Sequence, residues 1–188
     1  MVRRRVFNGP VKPVMPIRKA GPEDLVFLPA VEAAADTLLD GVLPTGSGQL
    51  PSPATVPELA RARHVLVAGR PPVGFARLEE VDGQAHLEQL SVRPDAAGAG
   101  LGRALVQAAT DWAQEQGYAA ITLSTFAEVP FNAPFYAGCG FEIVRKPEGG
   151  LAAVRQHEIA LGLDALGRRV AMRARLPRAV PRDGRMDA

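Results

Sequence analysis

Hydrophobic positions change rhythm several times along the chain, and each change marks an element. Ile17–Ala20 reads as a short strand, and Gly21-Pro22-Glu23-Asp24 as a helix start. Leu25, Leu28, Val31 and Ala35 then predict one helix reaching Leu38 or Leu39, kinked at Pro29. Residues 41–57, rich in proline and glycine, form a long loop of the kind that serves as a lid or binding loop, and a short helix follows at Val56–Ala62. Strands are expected at His64–Ala68, Val73–Val81 and Gln84–Val92, the last two joined by the hairpin signal Asp82-Gly83. Within the third of these the apolar face changes parity: Leu87 is odd, whereas Leu90 and Val92 are even. A strand cannot change faces without an extra residue, so a β-bulge is expected at Glu88–Gln89.

Beyond Pro94 the pattern alternates between helix and strand. Leu101, Leu105, Ala108 and Trp112 make an apolar helical stripe that Gly117 terminates. A buried strand spans Ala119–Thr125. Asn132-Ala133-Pro134 opens a short helix that Gly138-Cys139-Gly140 ends, and Phe141–Arg145 is another strand. Leu151, Val154, Glu158 and Leu161 predict a helix closed by Gly162, and Val170, Met172 and Ala174 alternate along a final strand. The expected class is α/β: a mixed, mostly antiparallel sheet of about six or seven strands with helices on both faces. One domain is expected over residues 16–176, with flexible ends at 1–15 and 177–188.

Composition narrows the function. The 188 residues are 47% hydrophobic and 22% charged, and neither a membrane-length apolar run nor a signal peptide is evident, which predicts a cytoplasmic protein without a membrane partner. One cysteine, Cys139, excludes an internal disulfide, and it reads as a small buried thiol. Three histidines without ligand spacing give no metal site. The net charge of +2 conceals a split: residues 20–163 hold nine basic and 17 acidic side chains, a body of about −8 between basic ends. No nucleic-acid partner is expected from this arrangement, a cationic partner is favoured, and a homodimer is left open.

Asp95-Ala-Ala-Gly98-Ala-Gly100-Leu-Gly102, lying between a strand and a helix, can present backbone N–H groups to an anion such as a pyrophosphate. It matches neither the dinucleotide fingerprint nor Walker A, and alone it is also compatible with a plain turn. Taken with Leu90-Ser-Val-Arg-Pro94 before it, and with Asn132-Ala-Pro-Phe-Tyr136 and Gly140-Phe141 after it, the segment resembles the GCN5-related N-acetyltransferase superfamily. The resemblance spans about residues 16–176 and is strongest over 84–145. The family's Gln/Arg-x-x-Gly-x-Gly/Ala loop maps onto Ala97-x-x-Gly100-x-Gly102. Ala97 and Ala99 stand where side-chain phosphate partners are usual, which implies weaker cofactor affinity. The resemblance implies acetyl-CoA as cosubstrate, held in a splay between two parallel strands, here the one ending at Val92 and Ala119–Thr125. Leu90 and Val92 would pair with the pantetheine arm, the amides of Gly98, Ala99, Gly100, Leu101, Gly102 and Arg103 would hold the pyrophosphate, and Asn132 would contact the pantetheine.

Acetyl transfer to an amine requires a base for the ammonium, polarisation of the thioester carbonyl and stabilisation of the departing thiolate. Glu88, beside the inferred bulge, is the first candidate for the base and resembles the water-assisted glutamate of polyamine acetyltransferases. His86, two residues earlier on the same face, could share the role, and Glu79, Glu80 and Glu128 are weaker candidates. Tyr136 matches the tyrosine that in many members stands near the sulfur and acts as general acid towards the leaving thiolate, and a backbone N–H near Val92 would polarise the carbonyl. The expected activity is acetyl transfer to a primary amine of a small molecule by direct attack in a ternary complex. A non-catalytic acyl-CoA-binding regulatory module and a peptide or protein N-terminal acetyltransferase are the alternatives.

Overall fold

A computed structural model describes residues 15–44, 46 and 50–177, so the ends expected to be flexible, 1–15 and 177–188, lie almost wholly outside the described residues. Seven strands form one sheet: β1 (Ile17–Lys19), β2 (His64–Ala68), β3 (Gly74–Val81), β4 (Gln84–Val92), β5 (Ala120–Phe126), β6 (Glu142–Ile143) and β7 (Arg169–Arg175), in the order β1-β2-β3-β4-β5-β7-β6. Every neighbouring pair is antiparallel except β4 and β5. The helices are α1 (Pro22–Leu25), α2 (Leu28–Asp36), α3 (Val56–Arg61), α4 (Leu101–Glu115), α5 (Ala133–Ala137), α6 (Gly149–Ala160) and α7 (Leu163–Leu166). Among the described residues no helix is long and apolar enough to cross a membrane.

Strand periodicity sorts side chains between two cores. Leu66, Ala76 and Leu78 face α4, where Leu105, Val106, Ala109 and Ala113 cover them, while their neighbours Val65, Val67 and Phe75 face Leu28, Val31 and Leu59 of α2 and α3. The buried stripe of α4 therefore runs through Leu105, Ala109 and Ala113, and the expected Ala108 and Trp112 lie half-buried on its flank. Asp82 (φ 53°) and Gly83 (φ 66°) take the two left-handed positions of a tight hairpin turn. The Asp82 carboxylate also accepts the backbone N–H groups of Gly150 (2.8 Å) and Leu151 (3.2 Å), tying the hairpin to the first turn of α6.

Three expectations need correction. The first helical stretch is not one kinked helix: it breaks at Val26–Phe27, and Pro29 sits in the first turn of α2, where its missing N–H leaves no bond unmade. Strand β6 is two residues long rather than the five of Phe141–Arg145. Cys139 is half-buried at the edge of the α4 core rather than buried, and partial burial pushes its thiol upward.

A partly buried ion pair anchors β1 to α1. Arg18 Nη1 and Nη2 donate to Asp24 at 2.5 and 2.7 Å, and Asp24 also accepts the Gly21 N–H at 2.7 Å. The guanidinium holds this carboxyl down at about 2. Because the folded-state value is depressed, the stabilisation is complete above the ordinary carboxylate range and is lost as pH falls towards 2. Asp24→Asn should cost on the order of 2 kcal/mol at pH 7, and much less near pH 2. Urea titrations at both pH values check this; an equal cost at the two would exclude the ion pair as its source.

Candidate functional site

The site originates in β4. Register with β3 runs Arg77↔Gln89 and then Leu78↔Leu87, so Glu88 is an extra residue without a partner across the ladder. Leu87 on one side of this bulge, and Leu90 and Val92 on the other, therefore all pack on the same core. The bulge stands at the expected position. Pairing with β5 covers only Ala85↔Ile121, His86↔Thr122 and Leu87↔Leu123, although β4 continues to Val92 and β5 to Phe126. The two parallel strands part at the bulge.

The gap has a defined lining. Arg93 N–H donates to Val73 O at 2.9 Å, so by antiparallel alternation Ser91 and Gln89 direct their backbone groups to β3. Those of Leu90 and Val92 face the gap. A cleft of about 490 Å³ lies there, walled by Leu87–Val92, Ser124–Phe126 and the start of α4. Asn132 and Tyr136 of the α5 region also line it, as do Gly98, Gly100, Leu101, Gly102 and Arg103; Ala99 does not. Gly98 (φ 76°) and Gly100 (φ 78°) are left-handed, and a Cβ on either would meet no protein atom within 4 Å. The Arg103 guanidinium donates to Gly138 O at 2.7 Å and so braces α4 against α5.

A second cavity, of about 850 Å³, lies on the other side of Glu88 and shares Asp36, Leu50, Glu88, Gln89, Ser124 and Arg169 with the first. Its walls are acidic. Glu32 and Asp36 stand one turn apart on α2; Glu32 accepts the Ala54 N–H at 3.2 Å, and burial raises Glu32 to about 7 and Asp36 to about 6. On the facing wall Glu158 is neutralised, accepting from Ser124 (2.6 Å), Arg169 (2.5 Å) and Arg155. Arg169 also lies over the Phe126 ring at 4.7 Å, and its Nε has no hydrogen-bond partner.

Glu88 is 46% exposed at the junction, and the surrounding walls raise its carboxyl above the usual range. His86 is 2% exposed, lines the acidic cavity, and is held down to about 4 by burial. Its Nε2 lies 3.6 Å from Glu88 Oε2, and its Nδ1 lies 2.8 Å from Thr122 Oγ1. Tyr136 is buried against Phe135 and Phe141, which pushes its phenol upward and keeps it protonated. The weaker base candidates are engaged elsewhere: Glu79 with Arg77 (2.7 Å), Glu80 with the Tyr118 hydroxyl (2.6 Å), and exposed Glu128 with Arg168 (3.4 Å). Glu32, Asp36, Ser124, Arg169 and Gln89 were not anticipated. The i, i+4 acids Glu32 and Asp36 within an otherwise apolar helix were the one available signal.

Solved structures share this architecture. A GCN5-related N-acetyltransferase from Rhodopseudomonas palustris is 21% identical and superposes with a TM-score of 0.64 over 90% of this chain and 100% of its own. The ribosomal-protein-S18-alanine N-acetyltransferase of Escherichia coli is 20% identical (TM-score 0.59; 89% and 97% of the two chains). The PaiA N-acetyltransferase of Thermoplasma acidophilum, in complex with coenzyme A, is 17% identical (TM-score 0.60; 86% and 98%). At these identities the likeness is one of fold. The sequence itself goes further, because the model of the Acetyltransferase (GNAT) family matches residues 45–141, half of the chain, a span that runs through β4 and the glycine loop to Phe141 and leaves out Glu32, Asp36 and Glu158. The parted strands, the glycine loop and that match together place this chain in the GNAT family of acetyltransferases.

Proposed function

We propose that the chain transfers the acetyl group of acetyl-CoA directly to the primary amine of a small cationic acceptor, with both substrates bound at once. The observation that carries this reading is that the strand-gap cleft and the acidic cavity meet at Glu88. The cleft suits the cosubstrate. Backbone groups of Leu90 and Val92 face the gap and would pair with the amides of the pantetheine arm, beside Asn132. The free N–H groups at the start of α4, reached through Gly98 and Gly100, would receive the pyrophosphate.

The chemistry then follows from protonation states. The amine nitrogen attacks the thioester carbonyl carbon, whose oxygen a backbone N–H near Val92 would polarise; a C–N bond forms and the C–S bond breaks. Two N–H protons leave the nitrogen: one passes from the ammonium to the Glu88 carboxylate and on to water in the open cavity, and the other leaves the tetrahedral adduct through water for the departing sulfur, so that coenzyme A is released as the thiol. Tyr136, with its phenol pushed above its ordinary range, holds its proton too firmly to surrender it to a thiolate, so it donates a hydrogen bond to the departing sulfur. Cys139, outside both cavity linings, has no part in the transfer.

Three experiments examine this reading. Gly100→Val should weaken acetyl-CoA binding at least tenfold, about one lost phosphate contact, in calorimetry on the folded variant. Gly117→Val is the control: it has the same left-handed backbone (φ 83°) and the same empty surroundings, but lies at the far end of α4. Equal affinity in the two variants would mean that Gly100 serves only the turn.

Glu88→Gln should lower kcat/KM by roughly 10²–10⁴ near pH 7, and the deficit should shrink as pH rises and the acceptor deprotonates itself. Because its carboxyl is raised, the acidic limb of the wild-type profile should fall above 4.5. A variant as active as the wild type at every pH would remove Glu88 from the role.

Glu32 and Asp36 become anionic as pH rises through about 6 to 7, so KM for a cationic acceptor should fall over that interval while KM for a neutral-tailed monoamine stays level. Steady-state assays across diamines, amino acids and short peptides decide this. Turnover confined to peptides would favour N-terminal acetylation, and binding of acetyl-CoA without turnover of any amine would favour a regulatory module.

A further inference from the structure

The buried histidine next to Glu88 carries an inference that rests on the reading of Glu88 as the base. Thr122 and His86 are paired across the β4–β5 ladder at its last rungs before the strands part. Both are almost fully buried. The Thr122 hydroxyl has a single hydrogen, and it donates to Ala85 O at 3.3 Å. Both contacts are satisfied at once when the ring nitrogen is the donor of the 2.8 Å contact between His86 Nδ1 and Thr122 Oγ1. A neutral imidazole with its proton on Nδ1 has a lone pair on Nε2, and this is the nitrogen 3.6 Å from Glu88 Oε2. At that distance the two atoms fall just short of a hydrogen bond, as is common in a substrate-free site.

We propose that Thr122 and His86 are positioning residues for Glu88: the threonine fixes the imidazole with its proton on Nδ1, and the Nε2 lone pair receives the carboxyl hydrogen once Glu88 has taken the proton of the acceptor. The bond broken is the ammonium N–H and the bond formed is the Glu88 O–H. That hydrogen is shared with Nε2 but not transferred, and it leaves to water in the cavity. Burial favours the neutral ring throughout, which suits it to accept without becoming a base itself. The pairing makes the carboxylate a stronger proton acceptor by stabilising its protonated form. Other groups also act on Glu88 and His86: Arg77 and Glu79 from β3, Glu158 from α6 and Arg169 from β7, with Glu32 and Asp36 of α2 across the cavity. None of them is altered in the variants below.

The first test needs no activity. Long-range proton–nitrogen NMR correlations on the full chain at neutral pH, with His86 assigned by its loss in His86→Gln, should show the proton on Nδ1. A proton on Nε2 would overturn the inference. The second test is the pH profile of kcat/KM. Thr122→Val keeps the side-chain shape but leaves Nδ1–H without an acceptor, so the proton should move to Nε2, where it favours the ionised carboxylate. The acidic limb should shift down by about one pH unit, and activity at neutral pH should fall roughly tenfold, the worth of one such hydrogen bond. Thr122→Ser, which restores the hydroxyl, should recover both. A uniform loss of rate with an unmoved limb would assign Thr122 a packing role and overturn the proposal. Failure of Glu88 as the base would show separately, as full activity of Glu88→Gln with the His86 proton still on Nδ1.

Discussion

One unpaired residue governs the architecture of the site. Because Glu88 is an extra residue in β4, the strand satisfies two demands that a regular strand could not. Before the bulge, Ala85 and Leu87 lie along β5 and continue the sheet; after it, Leu90 and Val92 remain in the same core while β4 follows β3 away from β5. Backbone groups left facing a gap are costly unless something meets them. In the proposed function that something would be the extended, amide-bearing arm of the cosubstrate. The same excess residue places a carboxylate at the point of divergence, where the two cavities join.

Charge is distributed around that point with a clear division. Carboxylates that maintain structure are paired: Asp24 with Arg18, Glu158 with Arg155 and Arg169, Asp164 with Arg155. The guanidiniums hold Asp24 and Glu158 below their ordinary range. Glu32, Asp36 and Glu88 are shifted in the opposite direction because burial dominates and no guanidinium among the described residues bonds them. A wall of partly desolvated acids is stabilised by any cation that enters. The acidic body of about −8 is thus not spread evenly, and it concentrates unneutralised charge on the acceptor side.

Much of this was legible in the sequence because it rests on local rules. The parity slip between Leu87 and Leu90 fixed the bulge, since a period of two allows no other explanation once both residues are in one core. Asp82-Gly83 and the left-handed glycines before α4 were legible for the same reason: their backbone conformations restrict the residue type. The break at Val26–Phe27 was hidden because α1 and α2 share one apolar face, and the pattern continues across the gap. Glu32, Asp36 and Arg169 escaped notice because their role depends on contacts with β4 from more than 50 positions away in sequence, and no local period encodes such a meeting.

Burial acts in the same direction on the two groups assigned to proton handling, yet with different consequences. It raises both Glu88 and Tyr136. A carboxyl starts far below neutrality, so an upward shift strengthens it as a base. A phenol starts far above neutrality, so the same shift removes any prospect of ionisation and leaves a fixed donor. Tyr136 packs against Phe135 and Phe141, whereas Glu88, on the wall of the same cleft, also opens to the acidic cavity. One physical effect, applied to two side-chain types that line one gap, therefore leaves a carboxyl better suited to take up a proton and a phenol suited only to donate a hydrogen bond.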